Sequence, residues 1–238
     1  MTEDGISVKV AGMKWFPKGD FLKLNIGTLN FARKQRGRKA LNECGKIPAN
    51  FTRRDCVGKV SEIFDLLGKA NPIIGGLKID CHELSLRKLE WDDPIPSDLK
   101  DVWLRNFELL QDLRDVKFKR CIVPLDAVDL NIETLDTEDG SNELICVAIY
   151  ARFKLEGGGY SCQLVFSRTK IVPVDLSIPR AELLAATLNA ITGHVVKISF
   201  GNYHVKSMKF TDSQIVLHWI NCTRGELKLW VRNRVIEI

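Results

Sequence analysis

Three hydrophobic rhythms succeed one another along the chain. Between residues 13 and 26 (MKWFPKGDFLKLNI), Phe21, Lys23 and Asn25 alternate with Leu22, Leu24 and Ile26, and Pro17-Lys18-Gly19-Asp20 interrupts the run. Alternation on one side of a turn predicts a β-hairpin. Residues 31–51 are polar and basic, contain Gly37, Gly45 and Pro48, and read as a loop or linker. From Thr52 the spacing becomes helical. Thr52 is placed to cap a helix whose apolar positions are Cys56, Val57, Val60, Ile63, Phe64 and Leu67. Asn71-Pro72 ends or bends that helix. A second helical stretch runs from about Ile73 to Leu89. Trp91-Asp92-Asp93-Pro94-Ile95-Pro96 forms a rigid connector. Ser97 then caps a third helix with Leu99, Val102, Trp103, Phe107 and Leu110 inward. Residues 52–116 therefore predict a small helical bundle, and Asp92-Asp93 reads as solvated turn acids rather than a cation site.

The period shortens again from Ile132. Ile132–Asp139, Leu144–Phe153 and Ser161–Ser167 read as strands, with Gly157-Gly158-Gly159 as a tight connection. Pro179 opens a helix (PRAELLAATLNAITGHVV) that turns Leu183, Leu184, Ala186, Thr187 and Ala190 toward a core. Met208–Asp212 is a short strand and Ser213–Ile220 a helix. The order β-β-β-α-β-α predicts an α+β or α/β fold, a mixed sheet covered by helices. Three segments follow: 1–51 (hairpin and basic linker), 52–125 (helical) and 126–238 (sheet with helices).

Composition narrows the class. The chain has 238 residues, 45% hydrophobic and 27% charged, which excludes disorder or collagen-like repeats over most of its length. No stretch approaches the ~18 apolar residues a membrane span needs. The acidic start (MTEDGISVKV) is not a secretory signal. Cysteines stand at 44, 56, 81, 121, 146, 162 and 222, with no two close enough for a zinc knuckle or a redox pair. They read as reduced, mostly buried thiols of an intracellular protein.

Charge divides the chain. Residues 1–125 hold 23 Lys and Arg against 17 Asp and Glu, whereas residues 126–238 hold 12 against 13. The densest run is Arg33-Lys34-Gln35-Arg36-Gly37-Arg38-Lys39. Its cations, Arg33, Lys34, Arg36, Arg38 and Lys39, suit a phosphate backbone by counterion release, and they equally suit a solvated linker.

Three carboxylates are placed for chemistry. Asp139 ends the first of the later strands (Asp139-Gly140-Ser141), Glu182 lies in the first turn of the helix, and Asp212 ends the next strand (Thr211-Asp212-Ser213). If those two strands are neighbours, Asp139 and Asp212 lie side by side, and the helix lays Glu182 over the same edge. Carboxylates gathered at one point repel one another and require a cation. Hard oxygen donors suit Mg2+ (or Mn2+), and two such ions about 3.5–4 Å apart catalyse phosphodiester hydrolysis. Each acid alone has a plain explanation: a turn, a helix dipole partner, a helix cap. Asp126 and Asp129 compete for the first position, since Asp126-Ala127 imitates an Asp-Ala-Ser motif. Asp139 is preferred because it follows an eight-residue strand-like run. His82, His194, His204 and His218 are scattered and read as structural.

Asp139-Gly140-Ser141, Arg180-Ala181-Glu182-Leu183-Leu184-Ala185 and Thr211-Asp212-Ser213-Gln214-Ile215-Val216-Leu217 resemble the ribonuclease H signature. The surrounding text, Ser167–Pro173, Ile178–Leu183, Thr211–Ile220 and Trp230–Val235, resembles the BEL/Pao retrotransposon polyprotein. So do Phe51–Arg54, Ile63–Gly68 and Leu89–Pro94 upstream. The resemblance runs from Trp15 to Ile238. It implies the tail of a reverse-transcriptase palm at 13–26, a thumb or connection region at 52–116, and a ribonuclease H domain at 132–238. The implied activity is metal-dependent endonucleolytic cleavage of RNA in an RNA–DNA hybrid. Asp139, Glu182 and Asp212 are the implied ligands of Mg2+ or Mn2+, and Lys170 and Arg180 the implied phosphate contacts. The implied partners are nucleic acid and the rest of the pol polyprotein, in a cytoplasmic particle or the nucleus.

The chain departs from that pattern in three ways. It has no Tyr-X-Asp-Asp acid pair for polymerisation. It has no Asp-Thr/Ser-Gly triplet for an aspartic peptidase, the activity under which the family is sometimes labelled. The later carboxylate Glu237 does not match the position of the fold's fourth acid, so the chain reads as a truncated domain with activity weak or lost. Three readings therefore stand: a hybrid ribonuclease, a non-catalytic nucleic-acid-binding remnant, and an interaction scaffold.

Overall fold

The computed structural model describes residues 5–27, 29, 31, 47–222 and 226–238. The basic run, with Arg33, Lys34, Arg36, Arg38 and Lys39, lies outside the described residues. The chain forms two compact units. One joins the residues up to Leu66 with Pro72–Arg120, and the other joins Leu67–Asn71 with Cys121–Ile238.

In the first unit, β2 (Met13–Phe16) and β3 (Phe21–Leu24) form the expected hairpin. Met13, Leu22 and Leu24 are buried, and the Phe16 and Phe21 rings stack with centroids 4.8 Å apart. Two short strands flank the hairpin, giving the antiparallel order β1-β2-β3-β4 with β1 at Val8–Val10 and β4 at Phe118–Lys119. Neither was predicted, because three and two residues are too few to display a period.

Helix α1 (Arg53–Ser61) begins where the sequence indicates. Thr52 is its N-cap, with a reciprocal capping box: Asp55 N donates to Thr52 Oγ1 at 3.3 Å, and Thr52 N donates to Asp55 Oδ2 at 2.8 Å. Thr52→Ala is expected to lower the unfolding free energy by about 1 kcal/mol, measured by urea titration, with Thr52→Ser close to the parent. The helix stops well before Leu67. Ile63 packs on the core, but Phe64 is 55% and Leu66 51% exposed, so the positions after Ser61 do not continue a buried helical face. Helices α2 (Asn71–Leu86) and α3 (Ser97–Leu113) follow. Ser97 proves to be the first helical residue rather than the cap. Pro96 holds the cap position in an extended conformation and makes no side-chain bond. Trp103, Phe107 and Leu110 pack with Phe51, Cys56, Leu77 and Leu84 into one core. Asp92 pairs with Arg54 at 3.0 Å, and Asp93 Oδ2 accepts from Glu90 N at 2.8 Å, so both turn acids have structural partners.

The second unit is a sheet in the order β7-β6-β5-β8. Strands β5 (Ile132–Gly140), β6 (Leu144–Lys154) and β7 (Tyr160–Ile171) are antiparallel, and β8 (Val205–Phe210) runs parallel to β5. Strand β6 alternates strictly. Ile145, Val147 and Ile149 are buried and pack with Ala181, Ala185 and Leu188 of α4 (Ile178–Ser199). Helices α5 (Gln214–Asn221) and α6 (Leu229–Val235) close a second cluster, in which Val216, Val231 and Val235 meet Leu183 and Ala186 of α4.

Strand β7 runs four residues past its predicted end. Its polar Ser167 and Thr169 are buried but satisfied: Ser167 Oγ donates to Gly68 O at 2.6 Å and accepts from Asn71 Nδ2 at 2.9 Å. Strand β8 is displaced from its predicted span, ending at Phe210. Ser213 caps α5 by accepting from Val216 N at 3.2 Å, which draws Thr211 and Asp212 out of the strand into the connection.

Among the described residues no helix is long and apolar enough to cross a membrane. Among the described residues the expectation of mostly buried cysteines is corrected. Cys56 is buried, Cys81, Cys146 and Cys222 are half-buried, and Cys121 and Cys162 are exposed.

Candidate active site

Parallel pairing of β5 with β8 brings the ends of the two strands together. Ile132 pairs with Val205 and the register continues to Thr137 opposite Phe210. Asp139 lies two residues beyond that last pair on β5, and Asp212 two residues beyond it on the other chain segment. Helix α4 starts over the same edge, because Gly140 has no side chain. A Cβ there would stand 2.6 Å from Glu182 N and 2.7 Å from Ala181 C. Glu182 is thus set against the end of β5 by backbone contact and is tied to the far side by Ser213, whose Oγ donates to Glu182 Oε2 at 2.6 Å. The adjacency expected from the sequence is present at the level of the backbone.

Alternation along β5 sorts its acids. Ile132, Thr134, Asp136, Glu138 and Gly140 are buried, whereas Asp139 is exposed. Asp139 stands opposite Cys146 in the ladder, and its Oδ1 accepts from Gly140 N at 2.7 Å. Burial first, and then the charge of Asp139, push the Cys146 thiol up. Glu138 was not anticipated as part of this edge. Burial raises its carboxyl to about 7. The Thr211 hydroxyl, bonded to it, acts in the opposite sense, and the charges of Asp139, Asp212 and Glu182 push it further up. Glu138 Oε1 is buried without a hydrogen-bond partner. Four carboxylates are therefore electrostatic neighbours at one edge. The only sequence trace of Glu138 was its even spacing from Ile132, and periodicity reads buried positions by their apolarity. The run Thr134, Asp136, Glu138 has none.

These residues suit a divalent cation by donor type, hard carboxylate oxygens with one buried oxygen lacking a partner. They are not drawn into a closed cage. Among the described residues no group of three or more His, Cys, Asp or Glu side chains is gathered tightly enough to hold a metal ion. Asp126 and Asp129 lie in the exposed segment before β5, where Asp129 Oδ1 accepts from Asn131 N at 2.8 Å. Lys170 is exposed on β7. Arg180, also exposed, lies over the Trp230 ring at 5.3 Å, and Arg234 lies over the same ring at 3.6 Å. His218 Nε2 contacts Cys222 Sγ at 3.3 Å.

A three-stranded antiparallel run, a crossing helix and a fourth strand parallel to the first, with acids at the shared edge, define a ribonuclease H-like fold. The comparison with known families agrees: the Pao retrotransposon-like RNaseH-like domain matches residues 52–213. The chain belongs to that family. The match spans Asp139, Glu182 and Asp212 and reaches back through the helices of the first unit. No curated protein matches the chain. Among solved structures it is similar to a foamy viral protease-reverse transcriptase, dRH, in complex with ds DNA, at 12% identity and a TM-score of 0.45. The similarity covers 97% of this chain and 35% of that one, so the chain spans about a third of its solved relative's length.

Proposed function

We propose that the chain is a nuclease-type fragment of a retroelement pol polyprotein, hydrolysing the RNA strand of RNA–DNA hybrids with Mg2+ or Mn2+. One observation carries this reading. The ends of β5 and β8 and the first turn of α4 meet at a single edge, with α4 seated on Gly140 and Glu182 held by Ser213. Asp139, Glu182 and Asp212 are the residues that would hold the ions. When bound, divalent cations at such an edge supply activation of water and neutralisation of charge at the phosphodiester.

The chain's own groups do the rest. Ser213 fixes the direction of the Glu182 carboxylate. Thr211 holds Glu138 behind the exposed acids. Arg180, backed by the Trp230 ring, is placed two residues before Glu182 to take a phosphate. Contacts to the 2′-hydroxyl are the physical means of telling the RNA strand from DNA.

The test is incubation of the purified chain with Mg2+ or Mn2+ and a hybrid labelled in its RNA strand. RNA cleavage is expected, with Asp139→Asn, Glu182→Gln and Asp212→Asn each losing it. Undiminished cleavage by these variants would overturn the assignment.

A second reading is favoured by the absence of a closed cage among the described acids. It is a non-catalytic remnant that binds nucleic acid by charge. In the same assay it gives binding that falls steeply with salt and no cleavage with either metal.

A further inference from the structure

The parallel pairing that builds the acid edge is poorly specified by hydrophobicity. On β5 the residues facing α4 are Ile132, Thr134, Asp136, Glu138 and Gly140. Their partners on β8 are Val205, Ser207 and Lys209. Only the pair Ile132–Val205 is apolar. Strands without a strong apolar face are weakly held in register.

In place of apolar contacts, this interface contains an ion pair between a fully buried carboxylate, Asp136, and a lysine, Lys209, whose side chain is 42% exposed. Asp136 is fully buried, and its Oδ2 accepts from Lys209 Nζ at 3.2 Å and from Ser207 Oγ at 2.7 Å. Lys209 Nζ also donates to Asn189 O on α4 at 3.4 Å, and Asn189 Nδ2 donates to Asp136 O at 3.1 Å. Helix α4 comes close enough for this because residue 193 is glycine. A Cβ there would lie 2.5 Å from Asp136 Oδ2 and 2.8 Å from Lys209 Nζ. Asp136 Oδ1 and Asn189 Oδ1 are buried without partners, so the network is not optimised for stability. Burying the carboxylate of an ion pair costs its desolvation, so such a pair is a weak source of stability, and fixing register is the best-attested use of buried charge partners.

We propose that Asp136 and Lys209 are positioning residues that pin β8 to β5 in the one register that brings Asp212 beside the end of β5. A slip of two residues keeps every side chain on its own face, so apolar patterning cannot forbid it. It would carry Asp212 along the strand by about 6–7 Å, more than the about 3.5–4 Å that separates the ions of a two-metal site. It would also set Asp136 opposite Ser207 or Thr211 and leave a buried carboxylate without its cation. The functional weight of the proposal rests on the nuclease reading of this edge, whereas the register can be measured without it.

The experiment uses the full chain with cysteine pairs on the face of the sheet away from α4, their disulfides mapped by peptide mass spectrometry. Leu135→Cys with Met208→Cys reports the observed register, in which those positions are partners. Leu135→Cys with Phe210→Cys, or with Lys206→Cys, reports the slipped ones. In the parent, slipped disulfides are expected at no more than the about 0.1–10% of a minor state. In Asp136→Leu/Lys209→Met, and in the volume-conserving Asp136→Asn/Lys209→Gln, slipped and registered disulfides are expected in comparable yield, with the melting temperature unchanged or raised. Where the parent cleaves hybrid, kcat should fall in these variants while KM stays near its parent value, because the phosphate-contacting residues are not moved. Registered disulfides alone in both double variants would overturn the proposal. So would unfolding of both, which would assign the pair to stability instead. A parent without nuclease activity would remove the catalytic arm and leave the register result standing.

Discussion

Gly140→Ala is expected to lower the melting temperature by several degrees and to cut hybrid cleavage by about a hundredfold. The cause is geometric. The new methyl would stand 2.6 Å from Glu182 N and 2.7 Å from Ala181 C, both backbone atoms at the start of a 22-residue helix. Neither can rotate away, so α4 must lift off β5. Overpacking of this kind costs about 1–3 kcal/mol, and a chain of this size loses roughly 2–4 °C per kcal/mol. The catalytic loss follows from displacement of Glu182, since a misplacement of about 1 Å at a reacting centre costs on the order of 10²-fold. Gly157→Ala is the control: a Cβ there meets nothing within 4 Å, and the melting temperature should not move. Thermal unfolding by circular dichroism and the labelled-hybrid assay measure the two effects separately. A Gly140→Ala protein with parental melting and parental cleavage would show that the close approach of α4 is dispensable.

Glu138→Gln is expected to stabilise the metal-free protein at and above neutral pH and to flatten its pH dependence. The folded state holds this carboxyl at about 7, through burial first and then through the charges of Asp139, Asp212 and Glu182, against 4.5 for an unperturbed glutamate. A raised carboxyl means that the folded state binds more protons than the unfolded state between those two values. Stability is therefore greatest at the acid end of that window and falls as pH rises through about 7. The cost of the ionised form is on the order of 3 kcal/mol above the window, at about 1.4 kcal/mol per pH unit. Glutamine keeps the shape and the bond to Thr211 and carries no charge, so the variant should gain most of that amount at pH 8 and little at pH 5. Urea titrations at the two pH values measure it. Equal effects at both would show that Glu138 is not held in its protonated form by this edge.

Much of this architecture was legible before any fold was in view. Strand β6 alternates Ile145, Val147, Ile149, Ala151 and Phe153 against polar or small neighbours, and an alternating strand reports its own buried face. Thr52 announced α1, because a helix cap is a local bond between residues about three apart. The helical face of Trp103, Phe107 and Leu110 likewise lies within two turns of one helix. Errors fell where the deciding contact was distant. The predicted extension of α1 to Leu67 failed because Phe64 and Leu66 stay about half exposed and no continuous buried face forms there. Strand β7 outran its prediction because Ser167 and Thr169 are satisfied by Gly68 and Asn71, about a hundred residues earlier in the chain.

The candidate site divides in the same way. The three segments around Asp139, Glu182 and Asp212 were readable as text, since each is a short motif with its own local turn or cap. Glu138 was not, because a buried carboxylate carries no apolar signal, and its raised proton affinity comes first from burial in the packed fold and then from the three carboxylates around it. The rhythm of the chain settled which residues form strands and helices, since period, capping and turn chemistry act over a few positions. Which strand lies beside which, how closely α4 approaches Gly140 and Gly193, and what surrounds Asp136 and Glu138 were decided by the packed fold. Those quantities depend on distances between residues far apart in the chain, and no local pattern encodes them.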